Sequence, residues 1–450
     1  MPVANSKPYT RARDMAYLAR RIEDNDCCAI VGVSNIGKSG LLRQLRRPDF
    51  FSYLSPKIQS HELGFIYIDF NLQLQMTGQG FYELVLRTIL AELKGLQPPP
   101  AIVNEVEAAY RQVIAPTDEF QNALNFNQAI ITLCEKWSRR LVLLFDEFDE
   151  VYQGLDARVF LNLRALRDKY ADRLMYIVVV GASLPTTRHD PELSEFAELF
   201  THHTYFLQPL EKGDVEKAIK RFAEANQVQF SAQDIALIAA QSGGHPGLLE
   251  TTCQVLAHNT VAGVAPDPRI ILNHLSDNPN IRIECVKLWN SLSPEKQEAL
   301  LTFYKNGAVA PVMQQTLIKN GLLTVGEGGR MNIFGQLFED FVRRQQLIHD
   351  EPKQGLVIDI EAGQVYVDGK ETASLTNLEY RLLLLLYGHI DKICDKYRIV
   401  EAVWGEDYIE EVDDARIEKL VSRLRQKIEP NPSAPQHLMT IRGRGYRLQS

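Results

Sequence analysis

Residues 27–45 read CCAIVGVSNIGKSGLLRQL, and this stretch decides the fold. An apolar run at 27–31 leads into Gly32-Val33-Ser34-Asn35-Ile36-Gly37-Lys38-Ser39, which fits the pattern G-x-x-x-x-G-K-[ST] and precedes a helical segment. Glycines allow a backbone to wrap phosphate oxygens, and a helix N-terminus behind the loop adds N–H groups. The order strand, loop, helix favours a phosphate-binding loop over a glycine turn that merely joins two elements.

Each position of this loop has an expected part in nucleotide binding. Lys38 is expected to reach the outer phosphates of ATP or ADP, and the Ser39 hydroxyl to bind Mg²⁺. Backbone N–H groups of the loop point at the phosphates. The predicted nucleotide-binding residues are Gly32, Asn35, Ile36, Gly37, Lys38, Ser39 and Gly40.

A second apolar run ends in acids, because residues 141–150 read LVLLFDEFDE. Asp146 is expected to complete the Mg²⁺ shell, and Glu147 is the candidate catalytic base that orients and deprotonates water. Asp149 and Glu150 are interpreted as a solvated pair in the first turn of the next helix, where the helix dipole favours acids.

Two later turns carry weaker signals. In GASLPTTRHD (181–190), Ser183 or Thr186 is a candidate γ-phosphate sensor and Arg188 a candidate arginine finger, although an ordinary turn fits the same residues. In SGGHPG (242–247), Pro246 suits a helix start and is the candidate contact with the adenine ring. His245 is interpreted as a satisfied turn residue.

The wider pattern predicts a multidomain α/β protein. Continuous apolar strands separated by helices indicate a parallel sheet with helices on both faces, followed by a helical lid and two winged-helix modules. The predicted boundaries are 1–210 for a P-loop NTPase core, 211–279 for the lid, 280–346 for a winged helix packing on the ATPase, 347–355 for a linker and 356–450 for a DNA-binding winged helix.

The chain resembles the STAND class of AAA-like ATPases, which are relatives of the archaeal ATPase and Orc/Cdc6 groups. The resemblance rests on the phosphate loop, the LVLLFDEFDE run, the GGHPG turn and the first winged helix. The resemblance covers about residues 8–346. It implies a nucleotide-controlled switch between a closed ADP form and an open ATP form that is often oligomeric. An arginine box before the first strand is suggested by Tyr9-Thr10-Arg11 and Arg13, without an assignment of adenine contacts.

Charge separates sharply within the C-terminal module. Residues 401–414 contain seven acids and no base, whereas residues 415–450 contain eight Lys and Arg residues and two Glu residues. A helix is predicted at 414–428, with Ile417, Val421, Leu424 and Ile428 facing the core at helical spacing. Its basic face and the basic hairpin after it suit DNA better than a merely solvated charged surface. The predicted DNA-binding residues are Arg416, Lys419, Arg423, Arg425, Thr440, Arg442 and Arg444.

This module closely resembles the OmpR/PhoB-type winged-helix DNA-binding domain. The matching stretches are LTNLEYRLL (375–383), VWG (403–405), SRLRQKIEP (422–430) and TIRGRGYRL (440–448). The resemblance implies that Arg423, Arg425, Thr440 and Arg442 contact double-stranded DNA, and that the 405–413 loop touches RNA polymerase.

The composition excludes other classes. The chain has 450 residues, 45% of them hydrophobic and 24% charged, which is typical of a globular rather than a disordered or fibrous protein. The net charge of -8 argues against a uniformly basic nucleic-acid coat. Six scattered cysteines indicate neither a disulfide framework nor a zinc site, and no apolar run is long enough to cross a membrane. We therefore expect a soluble, cytoplasmic protein without a membrane partner.

The leading hypothesis is an ATP-dependent bacterial transcription regulator, with slow ATP hydrolysis as its switch and a homo-oligomer in the ATP state. One alternative is a DNA-directed ATPase of a defence or mobile-element system, which DNA-stimulated turnover would favour. A second alternative is a nucleotide-switched scaffold whose winged helix binds protein, which absence of salt-dependent DNA binding would favour.

Overall fold

The computed structural model describes residues 11–56, 58–73, 76–115, 118–188, 190–260, 268–350, 356–359, 364–367, 369–372, 375–404, 414–441 and 443–449. The chain forms two compact units, Met1–Arg344 and Gln345–Ser450. Each unit has its own hydrophobic core.

The first unit is built around a five-stranded parallel sheet. Its strands are β1 (Cys28–Val31), β2 (Leu63–Asp69), β3 (Arg140–Asp146), β4 (Leu174–Val180) and β5 (Thr204–Phe206), in the order β2-β3-β4-β1-β5. Every residue of β1 and β4 is buried, so both faces of the central strands are covered. This sheet confirms the predicted fold class.

Nine helices of this unit lie between or beside the strands. They are α1 (Ala12–Glu23), α2 (Lys38–Leu45), α3 (Gly78–Leu96), α4 (Pro100–Ile114), α5 (Glu119–Lys136), α6 (Phe148–Gly154), α7 (Ala157–Lys169), α8 (Leu184–Thr187) and α9 (Pro191–Thr201) among the described residues. The phosphate loop joins β1 to α2, and the segment after β3 opens α6. The two sequence motifs thus sit at carboxyl ends of parallel strands, where ligands bind in such sheets.

After β5, the described residues of the first unit form helices and one hairpin. The lid contains α10 (Lys212–Asn226), α11 (Ala232–Ser242), α12 (Pro246–Thr260) and α13 (Pro268–Asp277). It is followed by α14 (Pro279–Asn290), α15 (Pro294–Asn306), α16 (Pro311–Lys319), the antiparallel strands β6 (Leu323–Val325) and β7 (Met331–Ile333), and α17 (Gln336–Asp350). Three helices, a hairpin and a final helix form the predicted first winged helix.

The second unit has a separate core of buried aliphatic side chains. Its elements are β8 (Leu356–Asp359), β9 (Gln364–Val367), β10 (Lys370–Glu371), α18 (Asn377–Tyr387), α19 (Lys396–Trp404), α20 (Asp414–Ile428), β11 (Leu438–Ile441) and β12 (Gly445–Leu448). Strands β8, β9 and β10 form one antiparallel sheet, and β11 and β12 form the wing hairpin. An ion pair of 2.7 Å between Glu379 and Lys427 joins α18 to α20.

All six cysteines are buried and carry free thiols. Burial raises the pKa of Cys134 and of Cys253 to about 12. These thiols therefore belong to the packing of the two cores. Within the described ranges, we find no helix that is long and apolar enough to cross a membrane.

Candidate functional site

The phosphate loop has the backbone shape that its sequence pattern predicts. Asn35 has φ 54° and Gly37 has φ 98°, both in the left-handed region, and α2 begins at the next residue, Lys38. A left-handed turn directly before a helix directs successive N–H groups toward one point. The loop is therefore shaped as an anion-binding concavity.

Lys38 folds over this loop. Its Nζ donates hydrogen bonds to the carbonyl oxygens of Gly32 and Val33, at 2.8 and 3.0 Å. Burial lowers the pKa of Lys38, and the nearby acids, chiefly Glu147 and Asp149, oppose this effect. The ammonium group thus lies within the loop and close to the carboxylates that follow β3.

Asp146 ends β3 as a buried carboxylate with 1% exposure. Its Oδ1 accepts a hydrogen bond of 3.1 Å from the Glu147 backbone N–H, and its Oδ2 accepts one of 2.5 Å from the Tyr67 hydroxyl. Carboxylate and hydroxyl oxygens are the ligands that Mg²⁺ prefers. The chemistry of the Asp146 carboxylate, and of the Ser39 hydroxyl predicted to join it, fits Mg²⁺.

The acids after Asp146 differ in environment. Glu147 is exposed with φ 55°, and partial burial together with the Asp146 charge raises its pKa. Asp149 corrects the sequence interpretation of a solvated acid, because its carboxylate accepts hydrogen bonds of 2.9 and 3.0 Å from the Gly181 N–H. Burial raises the pKa of Asp149. This side chain ties the start of α6 to the end of β4, whereas Glu150 is exposed.

Arg11 is the main loop contact that the sequence did not reveal. Its side chain is buried, donates to the Ile36 carbonyl at 2.7 Å and to the Gln208 carbonyl at 3.1 Å, and pairs with Asp14 at 2.8 Å. The arginine therefore braces the loop against the segment after β5. The suggested arginine box was the available signal, but its partners lie far away in sequence.

The GGHPG turn reaches the loop as well. His245 is fully buried, its Nδ1 accepts from the Leu248 N–H, and its Nε2 therefore carries the proton donated to the Ser34 carbonyl at 2.9 Å. Burial lowers the pKa of His245 to about 4. Pro246 opens α12 as predicted, and its Cγ lies 3.7 Å from where a Cβ on Gly37 would be.

Helix α14 of the first winged helix contacts the same loop. Glu284 is buried and its Oε1 accepts a hydrogen bond of 2.6 Å from the Asn35 side-chain amide. The Ser291 hydroxyl accepts one of 3.2 Å from the Ser34 N–H. Sequence reasoning predicted that this module packs on the ATPase but did not identify these residues, which lie about 250 positions from the loop.

The segment after β4 holds its candidates in local hydrogen bonds. Thr186 donates its hydroxyl to the Ser183 carbonyl at 2.7 Å, as in an ordinary turn. Arg188 donates to the Tyr152 and Leu155 carbonyls and pairs with Asp190. Its guanidinium thus caps the C-terminal end of α6, and its role as an arginine finger stays a prediction.

The predicted DNA surface lies on α20 and the wing. The side chains of Arg416, Lys419 and Arg423 are exposed on α20, opposite its buried aliphatic stripe, and those of Thr440 and Arg444 are exposed on the wing. Arg425 differs, because its half-buried guanidinium donates to the Leu438 carbonyl and the Thr440 hydroxyl. Arg442 and the 405–413 loop lie outside the described residues.

Two family models match this chain. The model of the Novel STAND NTPase 1 family matches residues 6–259, which is more than half of the chain. The chain belongs to this family. In this STAND NTPase, the model described as "Transcriptional regulatory protein, C terminal" matches residues 369–448.

Two curated relatives of this STAND NTPase chain are transcriptional regulatory proteins. A probable transcriptional regulatory protein of Picosynechococcus sp. is 38% identical over 113 residues, covering 24% of this chain and 44% of the relative. The alkaline phosphatase synthesis regulator SphR of Synechococcus elongatus is 38% identical over 95 residues, covering 21% of this chain and 36% of the relative. The chain thus spans less than half the length of these relatives.

A solved structure resembles a larger part of the chain. It is the Aeropyrum pernix ORC2 protein, at 13% identity and a TM-score of 0.46, covering 77% of this chain and 98% of that one.

Proposed function

We propose that this STAND NTPase is an ATP-dependent bacterial transcription regulator in which the nucleotide at the phosphate loop controls DNA binding by the C-terminal winged helix. The observation that carries the proposal is the contact of α14 with the loop. Through that contact, whatever occupies the loop acts on a helix that precedes the C-terminal unit in the chain.

The nucleotide is held chiefly by the loop and Lys38. Backbone N–H groups from Asn35 to Gly40 cradle the phosphates, and Lys38 exchanges its two carbonyl partners for phosphate oxygens. Gly32 and Gly37 give the loop its shape, Ile36 presents an N–H, and Pro246 is proposed to contact the adenine ring. Ser39 and Asp146 would hold Mg²⁺, which would neutralise phosphate charge.

Hydrolysis, where it occurs, requires a positioned water molecule. Glu147 follows β3 with its side chain accessible to solvent, and partial desolvation together with the Asp146 charge raises its pKa, which makes its carboxylate a better proton acceptor. We assign it to orienting and deprotonating that water. Slow turnover then resets the ATP form to the ADP form.

The switch follows from competition at the loop. Glu284 places a carboxylate 2.6 Å from the Asn35 amide, and Ser291 occupies the Ser34 N–H. Phosphates are anionic, so they repel the Glu284 carboxylate. They also need N–H donors, so they compete with the Ser291 hydroxyl for the Ser34 N–H. We call α14 docked when Glu284 and Ser291 contact the loop, and released when these contacts are broken. ATP and ADP differ in charge and length, so their affinities for the docked and the released form differ unequally, and such a difference is what a switch requires.

Double-stranded DNA is the proposed partner of the C-terminal unit. Arg416, Lys419 and Arg423 on α20 face the major groove, while Thr440, Arg442 and Arg444 on the wing contact the backbone or the minor groove. The family match over residues 369–448 supports this assignment. Contact of the 405–413 loop with RNA polymerase and assembly of the ATP form into a homo-oligomer belong to the same proposal.

The test is footprinting of the full chain on its own promoter region with ATP, with ADP and with neither. We expect DNA affinity to change at least severalfold between these states, and Lys38→Ala to bind DNA with one affinity in all three. Equal affinity of the parent in all three states would overturn the switch. DNA-stimulated turnover would favour the DNA-directed ATPase, and absence of salt-dependent DNA binding would favour the scaffold.

A second pair of variants tests the contact itself. Glu284→Gln keeps the size of the side chain and removes its charge, so ATP should bind more tightly by calorimetry. Glu295→Gln, an exposed acid on α15, is the matched control and should leave ATP affinity unchanged. Equal ATP affinity of Glu284→Gln and the parent would remove Glu284 from the switch.

A further inference from the structure

Tyr67 makes a contact with Asp146 that neither motif accounts for. The strands β2 and β3 run parallel, with Tyr67 opposite Leu144 and Asp69 opposite Asp146. Side chains two positions apart in a strand share one face, so Tyr67 and Asp146 lie on the same side of the sheet. The Tyr67 hydroxyl donates to Asp146 Oδ2 at 2.5 Å.

With this contact, each oxygen of the Asp146 carboxylate accepts one hydrogen bond. Oδ1 accepts the Glu147 N–H and Oδ2 accepts the Tyr67 hydroxyl, which together fix the rotation of the carboxylate plane. Each oxygen keeps a further acceptor position. The carboxylate is therefore held in one orientation with the remaining acceptor positions available.

The Tyr67 hydroxyl is an uncharged hydrogen-bond donor to Asp146. A Lys or Arg at position 67 would also hold Asp146, but its positive charge would repel a divalent cation. A tyrosine hydroxyl holds the carboxylate without adding charge. Lys38, the cation of the loop, donates to the carbonyls of Gly32 and Val33.

We propose that Tyr67 is a positioning residue that orients Asp146 for Mg²⁺ in the Mg²⁺-nucleotide complex. This inference rests on the proposed function, because it requires Mg²⁺ and ATP at the phosphate loop. Tyr67 acts only through Asp146, in the way that hydrogen-bond partners of metal ligands orient those ligands.

The experiment measures ATP affinity of the full chain by calorimetry, once with EDTA and once with saturating Mg²⁺. The ratio of the two affinities is the Mg²⁺ enhancement. Tyr67→Phe removes one hydroxyl, so we expect unchanged affinity in EDTA and an enhancement that falls about tenfold, or about 1.4 kcal/mol. A purely structural role would instead weaken both affinities alike and leave the ratio unchanged, which would overturn the inference.

Tyr176→Phe is the matched control. Tyr176 is a buried strand tyrosine whose hydroxyl donates to the Leu163 carbonyl at 2.9 Å, and its removal should leave the Mg²⁺ enhancement at the parental value. An equal fall in this variant would also overturn the inference.

A double-mutant cycle gives an independent readout. In an Asp146→Asn background, Tyr67→Phe should cause no further loss of Mg²⁺ enhancement, because the group it positions is gone. Additive losses would overturn the inference. If the parent binds no ATP or shows no enhancement, the proposed function itself fails, which is a different outcome from a parental enhancement in Tyr67→Phe.

Discussion

His245 is a buried histidine whose charge state is linked to folding. Its folded pKa of about 4 lies below the ordinary value of 6.5, because burial disfavours the imidazolium form. Between these values the unfolded chain binds a proton that the folded chain does not. Stability from this group is therefore complete above about pH 6.5 and is lost as the pH falls toward 4.

We expect the free energy of unfolding to fall between pH 7.5 and pH 5 by about 2 kcal/mol more in the parent than in His245→Gln. Glutamine keeps an N–H donor for the Ser34 carbonyl but does not titrate in this range. Urea unfolding of both full chains at the two pH values measures the difference. Equal pH dependence of the two proteins would show that His245 titrates normally in the fold.

The residues around the phosphate loop also show which parts of the site can be predicted from the sequence. Lys38 and Asp146 were predicted because their neighbours in sequence define their motifs. Arg11 and Glu284 were not assigned to the loop, because their contacts with Ile36 and Asn35 join segments that only the tertiary fold brings together. A local pattern identifies a phosphate loop but not the side chains that brace it.

At the scale of the element, α20 contains two arginines with different tasks. Arg423 is exposed, whereas Arg425, two residues later, donates to the Leu438 carbonyl and the Thr440 hydroxyl of the wing. A displacement of two residues on a helix turns a side chain to another face. Arg423 is thus available to DNA, while Arg425 joins the helix to the wing.

Arg423→Ala should weaken DNA binding by about 1–3 kcal/mol and leave the melting temperature of the C-terminal unit unchanged. Arg425→Ala should destabilise this unit by about 1–2 kcal/mol, because the wing loses its hydrogen bonds to the helix. Fluorescence anisotropy with DNA and thermal unfolding measure the two effects. A stable Arg425→Ala unit that has lost DNA binding would assign this arginine to DNA instead.

Helix α20 also shows what the spacing of apolar residues can and cannot predict. Its bounds, 414–428, and its buried stripe were predicted correctly, because apolar spacing of 3.6 residues encodes both. Arg425 was predicted to contact DNA, and its hydrogen bonds to strand β11 were not predicted, because they depend on a strand that follows the helix in the chain. The spacing of apolar residues indicates which face of the helix is buried, but it does not indicate which polar side chain makes a hydrogen bond with another element.

At the scale of the whole molecule, the two units have separate cores. The C-terminal core brings together α18, α19, α20 and the wing strands, and the Glu379–Lys427 ion pair links two of these helices. A unit with its own core can fold alone. In the proposed switch, control by nucleotide therefore comes from the first unit.

A fragment of residues 351–450 should therefore fold and bind DNA with the same affinity with or without ATP, whereas the full chain should respond to ATP. Circular dichroism checks the fold of the fragment, and anisotropy titrations check both proteins. An unfolded fragment would contradict the independence of the second core. A fragment that responds to ATP would contradict the placement of the nucleotide site in the first unit.

The burial of all six cysteines has a practical consequence. Maleimide dyes react with thiolates that solvent can reach, and these buried thiols offer few of them. A cysteine placed at Val312, which is 80% exposed on α16, and another at Tyr397, 68% exposed on α19, would be labelled selectively. One fluorophore on each unit would then report, by energy transfer in single molecules, how the distance between the units responds to ATP and ADP.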